Sequence, residues 1–463
     1  MGTGSLLIRG GTVVAGHAVG QGDVLVQGQR IEAVGHLGDL KADTLVDADG
    51  LLVLPGAVDT HVHLNDVFMN TVSVHDYYTG TLAAAYGGVT SIVDFSNQIP
   101  GGSLMKTLED KHAEAAGKSL IDWGVHPVIT QPDNETLDQI PAVVQAGAPT
   151  IKCYMTYRQD GLLIEDKDLR RIASRLTDAG GMLMLHAEDN EMIEASIPRF
   201  LADGKTSAIY HARSKPPEVE VAAIRRIVDM ARETGARLFI VHLASDEGLD
   251  LVTQAREEGL DITAETCTHY LCFTDEILER EDGIKWICSP PLRNRTIQER
   301  LWNGVSDGRI AMVTSDDAAY SWEAKMYGAD RFDKCPNGIP GIEPRLSILY
   351  SEGVAKGRMT LQRFVEIVST APATMFGMAP RKGSITPGAD ADIVLLDPEE
   401  RWTMSHETLH MAADWSAWDG IEITGRVVRV YSRGELVIDD GECLAEPGRG
   451  RYIHCQLPPR TAG

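Results

Sequence analysis

Short apolar runs of strand length alternate with longer segments of helical periodicity across the centre of the chain, and this alternation constrains the fold most strongly. Residues 219–234 and 248–258 are examples of the helical segments, with apolar residues three and four positions apart. Together with the strand that leads into His61, about eight βα units fit the size of a (β/α)8 barrel with insertions. The other seven predicted strands are residues 91–95, 123–129, 150–154, 182–186, 238–242, 262–266 and 311–316.

A doubly wound open sheet is the alternative α/β arrangement. It would bind a phosphate through a Gly-rich loop after its first strand, and no such loop is found there. We therefore predict a (β/α)8 TIM barrel.

Both ends of the chain carry short β-like runs broken by Gly and polar turns. Neither end has enough strands to bury a sheet face alone, so we predict that they combine into one small β-sandwich. The predicted domains are residues 1–54 and 379–440 for the two halves of the sandwich and residues 55–378 for the barrel. Residues 441–463, rich in Pro, Gly and Arg, are predicted to be a tail that lies on a neighbouring subunit.

The charge balance excludes some classes of partner. Forty-three Lys and Arg face 67 Asp and Glu, a formal net charge of −24, which argues against nucleic acid or an anionic membrane as a partner. No apolar run is long enough to cross a bilayer and the N-terminus lacks a secretory pattern, so we expect a cytoplasmic protein. The seven scattered cysteines are interpreted as reduced thiols.

Polar residues stand at the ends of several predicted strands, where the C-terminal ends of barrel strands meet at one mouth. His61 and His63 lie two positions apart after a Pro-Gly turn, so both imidazoles can point to the same side of an extended strand. The others are Lys152, His186, His242 and Asp316.

Taken singly, each of these residues has an ordinary structural explanation. A strand-end His is commonly a hydrogen-bonded, half-buried side chain, an Asp there can cap the next helix, and a lone Lys extends towards solvent. Taken together, four His, one Asp and one Lys at the same end of a barrel supply nitrogen and oxygen donors suited to zinc or a similar divalent metal.

The order of the local motifs resembles that of the dihydropyrimidinase and hydantoinase family of cyclic amidohydrolases. The motifs are DTHVH, IKCYMTY, LHAED, FIVHLAS, CSPPLR, TSDD and PNGIPGIEPR, followed by SEGV and KGSITPGADADIVLLD. The resemblance runs from Leu7 to Asp440 with the spacings kept. It implies hydrolysis of the cyclic amide bond of 5,6-dihydropyrimidines or 5-substituted hydantoins to N-carbamoyl amino acids.

By this resemblance, one divalent ion would be held by His61, His63, Lys152 and Asp316, and a second by Lys152, His186 and His242. Zinc is the first expectation, and manganese or cobalt suits the same donors. Lys152 would be carboxylated (N6-carboxylysine) and bridge the ions, because a buried neutral amine can react with carbon dioxide. A hydroxide bridging both ions would be the nucleophile.

The resemblance also assigns the remaining roles. Asp316 would accept the proton of the nucleophile and pass it to the leaving ring nitrogen, and Tyr157 would stabilise the oxyanion. Backbone groups of Ser289 and Asn337 would bind the ring. The chain departs from the family at residues 64–69, and at residues 158–163, where it has one extra residue and no aromatic lid is predicted, so the substituent preference is left open.

Several alternatives remain open. Dihydroorotase is disfavoured because Asn65 stands where its relatives carry Arg, whereas allantoinase, or another cyclic imide or ureide hydrolase, is the closer alternative because His63, Leu64 and Asn65 resemble its pattern. A non-catalytic scaffold of the same fold, like the neuronal collapsin-response proteins, is the remote alternative, since all six ligand positions are filled. The family also implies a homotetramer or a homodimer.

Overall fold

The chain opens with five strands of a small sheet in the computed structural model, which describes residues 4–16 and 18–459. The parts of the predicted first domain and tail at residues 1–3, 17 and 460–463 lie outside the described residues. The five strands are β1 (Ser5–Ala15), β2 (Ala18–Gln27), β3 (Arg30–Gly35), β4 (Thr44–Asp47) and β5 (Leu52–Pro55).

The barrel begins directly after this sheet, and its eight parallel strands follow one another in space in chain order. A parallel bridge between Val62 and Asp317 joins the last strand region to the first. A two-stranded hairpin, β7 with β8, is inserted after the first barrel strand. The bounds are β6 (Ala57–Val62), β7 (Val67–Phe68), β8 (Thr71–Val72), β9 (Val89–Asn97), β10 (Asp122–Val128), β11 (Thr150–Tyr154), β12 (Met182–His186), β13 (Leu238–Ile240), β14 (Ile262–Cys267) and β15 (Met312–Thr314).

Helices connect the barrel strands and cover them on the outside, as parallel pairing requires. They are α1 (Thr79–Tyr86), α2 (Leu104–Ala115), α3 (Asn134–Gln145), α4 (Asp166–Ala179), α5 (Asn190–Ala202), α6 (Ile209–Ser214), α7 (Pro217–Thr234), α8 (Asp246–Glu257), α9 (Thr268–Cys272), α10 (Arg295–Asp307), α11 (Trp322–Lys325), α12 (Arg345–Leu349), α13 (Leu361–Val365) and α14 (Ala371–Met375). None of the helices in the described part of the chain is long and apolar enough to span a membrane.

Four C-terminal strands return to the small sheet. Residues Ile393–Leu396 of β16 pair antiparallel with Leu52–Pro55 of β5, which makes one nine-stranded sheet from both ends of the chain. The prediction of a TIM barrel with a β domain built from both chain ends is therefore confirmed. The four strands are β16 (Ile393–Thr403), β17 (Glu422–Ser432), β18 (Glu435–Asp439) and β19 (Glu442–Cys443).

Large apolar side chains fill the interior of the barrel, as a packed core of this fold requires. Phe95, Met184, Phe239 and Met312 are all buried there. Because both faces of each barrel strand are covered, these strands are nearly continuous apolar runs, which is why they stand out in the sequence.

The C-terminal segment closes the base of this same barrel. Trp123 donates its backbone N–H to the Arg451 carbonyl and accepts from the Ile453 N–H, and both Ile453 and Cys455 are buried. Up to residue 459 the chain's own barrel supplies backbone partners for this segment, and its contact with a neighbouring subunit stays a prediction. The small sheet also extends through β19 to Cys443, three residues into the predicted tail.

Two predicted strands end earlier than the apolar pattern indicated. Strand β13 ends at Ile240 and β15 at Thr314, so His242 and Asp316 each lie two residues beyond a strand end. Both have positive φ, +40° and +49°. The chain leaves the sheet there in a left-handed turn, which an apolar run does not reveal.

Candidate functional site

One cavity at the C-terminal mouth of the barrel gathers the residues singled out in the sequence. It encloses about 510 Å³, including its open mouth. His61 is fully buried and contacts Asp316 from behind the lining, and the other eight predicted site residues line the cavity itself: His63, Lys152, Tyr157, His186, His242, Ser289, Asp316 and Asn337. The structure therefore brings all nine together.

The imidazoles and the Asp316 carboxylate converge on a small volume. Asp316 Oδ1 lies 3.0 Å from His61 Nε2 and 3.4 Å from His63 Nε2. On the opposite side, the ring centroids of His186 and His242 are 4.6 Å apart, and that of His242 is 5.4 Å from that of His61. The side chains of His61, His63 and Asp316 are close enough to share one ion.

Buried nitrogens without hydrogen bonds test whether a metal suits this site. His242 Nδ1 is buried and forms no hydrogen bond with any residue in the described ranges, and His61 Nε2 forms none either, although it is 3.0 Å from Asp316 Oδ1. A buried polar atom left unsatisfied costs roughly 1–3 kcal/mol, so such atoms call for a partner. Neutral imidazole nitrogens beside a carboxylate are donors that zinc and similar divalent ions bind. The residues present therefore fit a divalent metal.

Three of the site residues have positive backbone φ although none is glycine. They are Tyr157 at +65°, His242 at +40° and Asp316 at +49°. Each such residue costs on the order of 1–3 kcal/mol and persists only where its surroundings fix it. The backbone conformation that directs these three side chains into the cavity therefore lowers the stability of the fold.

Lys152 lies in the middle of β11 and is fully buried. Its Nζ is 4.7 Å from the ring centroid of Phe95 and 4.9 Å from that of Tyr154. Burial lowers the pKa of Lys152 to about 8, against the attraction of Asp316 and Glu265. A substantial fraction of the amine is therefore neutral near pH 8, the form that reacts with carbon dioxide.

The pKa values of the His63 imidazole and the Asp316 carboxyl group are shifted in opposite directions. Burial pulls the pKa of His63 down, but hydrogen bonds to Asp316 and Asp66 outweigh it and raise the pKa to about 9. Burial likewise opposes ionisation of Asp316, whereas His61 and His63 hold its pKa well below the usual value. A metal that binds His63 must displace its proton, while Asp316 is already a carboxylate.

Three carboxylates orient the imidazoles, and the sequence interpretation missed all of them. Glu265 accepts a hydrogen bond from His61 Nδ1, Asp66 pairs with His63 Nδ1 at 3.0 Å and Glu188 with His186 Nε2 at 2.7 Å. Carboxylates in this position fix the ring orientation and increase the basicity of the imidazole. Their sequence signal is weak: Glu265 interrupts an apolar strand, and Glu188 follows His186 by two residues.

Replacing Glu265 by glutamine should weaken metal binding about 10- to 100-fold, because a neutral amide polarises His61 less than a carboxylate does. Competition against a chelator would measure the affinity. Glu343→Gln is the matched control, since Glu343 is also buried and pairs with a histidine, His410, at 2.8 Å outside the cavity. Equal affinities in the two variants would contradict a role for Glu265.

Tyr157, Ser289 and Asn337 form the part of the cavity wall next to His186, whose ring centroid is 5.3 Å from that of Tyr157. Asn337 Nδ2 donates to Tyr157 Oη at 3.2 Å, which leaves the Tyr157 hydroxyl hydrogen free to point elsewhere. Burial, together with the negative charge of Glu188, raises the pKa of Tyr157 well above its usual value, so it stays a neutral donor. Ser289 Oγ donates to Glu188 Oε2 at 2.9 Å and accepts from Lys215 Nζ at 2.5 Å.

A fully buried lysine, also missed in the sequence, holds the backbone of this wall. Lys325 Nζ donates to the carbonyls of Ile287, Pro336 and Gly338 at 3.1, 2.9 and 3.0 Å. These three bonds join the segment before Ser289 to the segment around Asn337. The two stretches predicted to bind a ring through their backbones are thereby fixed relative to each other.

The two loops that depart from the family pattern cover the outer part of the cavity. Phe68, in the β7–β8 hairpin, packs edge to face against Tyr157 with ring centroids 5.0 Å apart. Leu162, Ala318 and Tyr320 extend this apolar wall. No aromatic lid was predicted past Tyr157, and Phe68 on the other loop covers the cavity instead. The contact between Phe68 and Tyr157 could not be predicted because the two residues are far apart in the sequence.

The cavity's remaining side is polar. Asn97 Nδ2 donates to Asp66 Oδ1 at 2.7 Å, whereas Asn97 Oδ1 is buried and lacks a hydrogen-bond partner within the described residues. A ligand group with an N–H could satisfy this oxygen.

Comparisons with known proteins show which proteins the chain resembles. The amidohydrolase family model matches residues 52–437. The chain is 39% identical to D-hydantoinase of Geobacillus stearothermophilus over 451 residues, covering 96% of each protein, and 38% identical to D-phenylhydantoinase of Escherichia coli K12 over 460 residues, covering 98% of this chain and 99% of the relative. Its structure superposes on the crystal structure of dihydropyrimidinase from Brevibacillus agri NCHU1002 with a TM-score of 0.96 and 37% identity, covering 99% and 100% of the two chains.

Proposed function

Because the chain belongs to the amidohydrolase family, in its dihydropyrimidinase and hydantoinase branch, we propose that it hydrolyses the cyclic amide bond of 5-substituted hydantoins or 5,6-dihydropyrimidines to N-carbamoyl amino acids. The observation that carries the proposal is the convergence of four imidazoles, Lys152, the Asp316 carboxylate and the Tyr157 hydroxyl on one cavity. A cyclic amide needs a polarised carbonyl, a proton acceptor and an oxyanion donor, and these groups can supply all three.

We propose that His61, His63 and Asp316 hold one divalent ion, that His186 and His242 hold another, and that carboxylated Lys152 joins the two. When bound, such ions lower the pKa of water and polarise the scissile carbonyl. The donor set of imidazole nitrogens and carboxylate oxygens favours zinc, with manganese and cobalt as alternatives. Metal analysis of the purified protein would test the identity of the ions.

The chain's own groups move the proton and orient the substrate. Asp316, ionised because His61 and His63 lower its pKa, accepts the proton of the attacking water and delivers it to the ring nitrogen as the C–N bond breaks. The Tyr157 hydroxyl donates to the oxygen that gains charge on attack. Backbone groups of Ser289 and Asn337 align the ring.

The wall of Phe68, Leu162 and Tyr320 favours an apolar substituent on the ring. Initial rates on dihydrouracil, hydantoin, 5-phenylhydantoin and allantoin would test the proposed function directly. We expect the highest kcat/KM for 5-phenylhydantoin, whose ring can pack against Phe68. Absence of turnover with all four compounds by the metal-loaded protein would contradict the proposal and favour the non-catalytic scaffold.

Allantoinase is the second candidate, and a specific observation favours it. The unpartnered Asn97 Oδ1 could accept an N–H from the ureido substituent of allantoin. In the same set of assays, turnover of allantoin alone would decide for this alternative.

Phe68→Ala should raise the KM for 5-phenylhydantoin about tenfold and leave dihydrouracil unaffected, because an aromatic pair contributes roughly 0.5–1.5 kcal/mol beyond the area that it buries. Val67→Ala is the matched control, since Val67 is the adjacent residue and its side chain is 66% exposed. An equal rise in KM for both compounds would place Phe68 against the ring itself rather than its substituent.

We further propose a cytoplasmic homotetramer or homodimer that binds neither nucleic acid nor membranes. The net charge of −24 supports the last two statements. For the domains we retain boundaries near residues 54 and 378, supported by the chain's passage between β5 and β6 and between α14 and β16, and a third near residue 440, close to the end of β19 at Cys443. Light scattering of the full chain would measure the oligomeric state.

A further inference from the structure

His75 and Asp317 form a buried pair directly behind the candidate site, and neither belongs to the lining of the cavity. His75 Nδ1 and Asp317 Oδ2 are 2.7 Å apart. We propose that this hydrogen bond makes His75 a positioning residue, which holds Asp316 in the geometry that proton transfer requires. The inference rests on the function proposed above and adds a residue to it.

The protonation of His75 follows from its second contact. The backbone N–H of Ala412 donates to His75 Nε2 at 3.1 Å, so this nitrogen carries the lone pair. In a neutral imidazole the proton must then lie on Nδ1, from which it is donated to Asp317. The Ala412 contact thus fixes the tautomer that the pair requires.

The main chain of Asp317 connects the hydrogen bond with His75 to the site. Its carboxylate Oδ1 also accepts from the backbone N–H groups of Gly341 and Ile342 at 2.8 and 3.2 Å, so the side chain is held from two directions. Its carbonyl accepts from the His63 N–H at 2.9 Å. The residue is therefore bonded to the backbone of one proposed ligand and is the direct neighbour of another, Asp316.

Asp316 needs such support because its backbone is in the left-handed region, with φ at +49°. An unsupported residue of this kind relaxes, and a displacement of about 1 Å at a reacting group can cost on the order of 10²-fold in rate. Because Asp317 is held in place and directly follows Asp316, the peptide unit between the two residues cannot rotate freely. The Asp316 carboxylate then stays aimed at the imidazoles.

The same pair connects the site to two surrounding segments. The His75 carbonyl accepts from the Asn65 N–H at 2.6 Å, at the start of the loop that carries Phe68. Ala412 belongs to the long connection between β16 and β17, and Trp415 in the same connection donates its indole N–H to the Tyr320 carbonyl at 2.8 Å. His75 therefore joins the outer loop, the small domain and the proton-transferring residue.

Two isosteric replacements separate the two hydrogen bonds of His75. In His75→Asn the amide nitrogen can occupy the place of Nδ1 and still donate to Asp317, whereas in His75→Gln the amide oxygen can occupy the place of Nε2 and still accept from Ala412. Both variants are polar and similar in size, so loss of stability should affect them alike, and thermal unfolding would check this. With zinc in excess and the best substrate of the wild type, we expect kcat near that of wild type for His75→Asn. For His75→Gln we expect kcat to fall about 10- to 100-fold while KM stays unchanged.

Equal kcat values for the two variants, or the larger loss in His75→Asn, would overturn the inference. If His75→Gln does not fold, Asp317→Asn should show the same loss of kcat, because it replaces the hydrogen-bond acceptor by a donor that faces Nδ1. An unchanged kcat would overturn the inference.

A wild type without turnover would refute the proposed function instead. The rate at which a chelator removes zinc would then decide: faster loss from His75→Gln than from His75→Asn supports positioning, and equal rates overturn it.

Discussion

Replacing Lys152 by alanine should reduce hydrolysis at least about 10³-fold, because the two halves of the proposed metal centre would lose the group that joins them. His61, His63 and Asp316 would remain on one side of the cavity and His186 and His242 on the other. We expect purified Lys152→Ala to contain less metal than the wild type, with thermal unfolding of the metal-free proteins little changed.

The physical basis is the environment of the amine. Lys152 is fully buried beside Phe95 and Tyr154, and burial lowers its pKa to about 8. The neutral amine can attack carbon dioxide, so that an N–C bond forms and one proton is released. The product has two carboxylate oxygens where a cation stood before. An intact-mass measurement of the wild type under native conditions should show the added carbon dioxide.

Two controls separate loss of the carbamate from general damage. Lys152→Arg keeps a cation but cannot form the carbamate, so it should be as inactive as Lys152→Ala. Short carboxylates such as propionate, added with bicarbonate, should restore part of the activity of Lys152→Ala, because they can enter the vacated space. Full activity of Lys152→Ala without additives would refute a bridging role.

Asp316→Asn should lower kcat about 10²- to 10⁴-fold, the range that a positioned general base contributes. An amide has almost the same shape as the carboxylate but cannot accept the proton of the attacking water. Steady-state kinetics with excess zinc, together with metal analysis, would distinguish slower proton transfer from loss of the ion.

Asp330→Asn provides the control for this substitution, since Asp330 is exposed and lies outside the cavity lining. It should leave kcat unchanged. If Asp316→Asn retained the wild-type kcat with its metal bound, another residue would have to be the base, and His75 would lose the role inferred for it.

Local pattern predicted the barrel and the proposed ligands because both depend on short-range features. Both faces of every barrel strand are covered, so every strand is an apolar run in the sequence. The proposed ligands interrupt or follow these runs at the barrel mouth. Lys152 stood out because a lysine within the apolar residues 150–154 is costly to bury without a function.

Asp66 and Glu188 lie within three residues of the histidines that they support, but the other supporting groups could not be predicted because their partners are distant in sequence. Glu265 is 204 positions from His61, and Asp317 is 242 positions from His75. Lys325 resembles any lysine in a short helix until the fold places three carbonyls around it. The left-handed turns at His242 and Asp316 were also hidden, because neither residue is a glycine that would indicate positive φ.

The pairing of β5 with β16 sets an order of events during synthesis. Residues Leu52–Pro55 emerge early, but their partners Ile393–Leu396 are made only after the whole barrel. Because synthesis adds about 5–20 residues per second, the edge of β5 would stay unpaired for on the order of half a minute until β16 is made. During that time an apolar strand with free backbone groups is open to pairing with other chains, so production of this protein should benefit from a low concentration of nascent chains or from added chaperones.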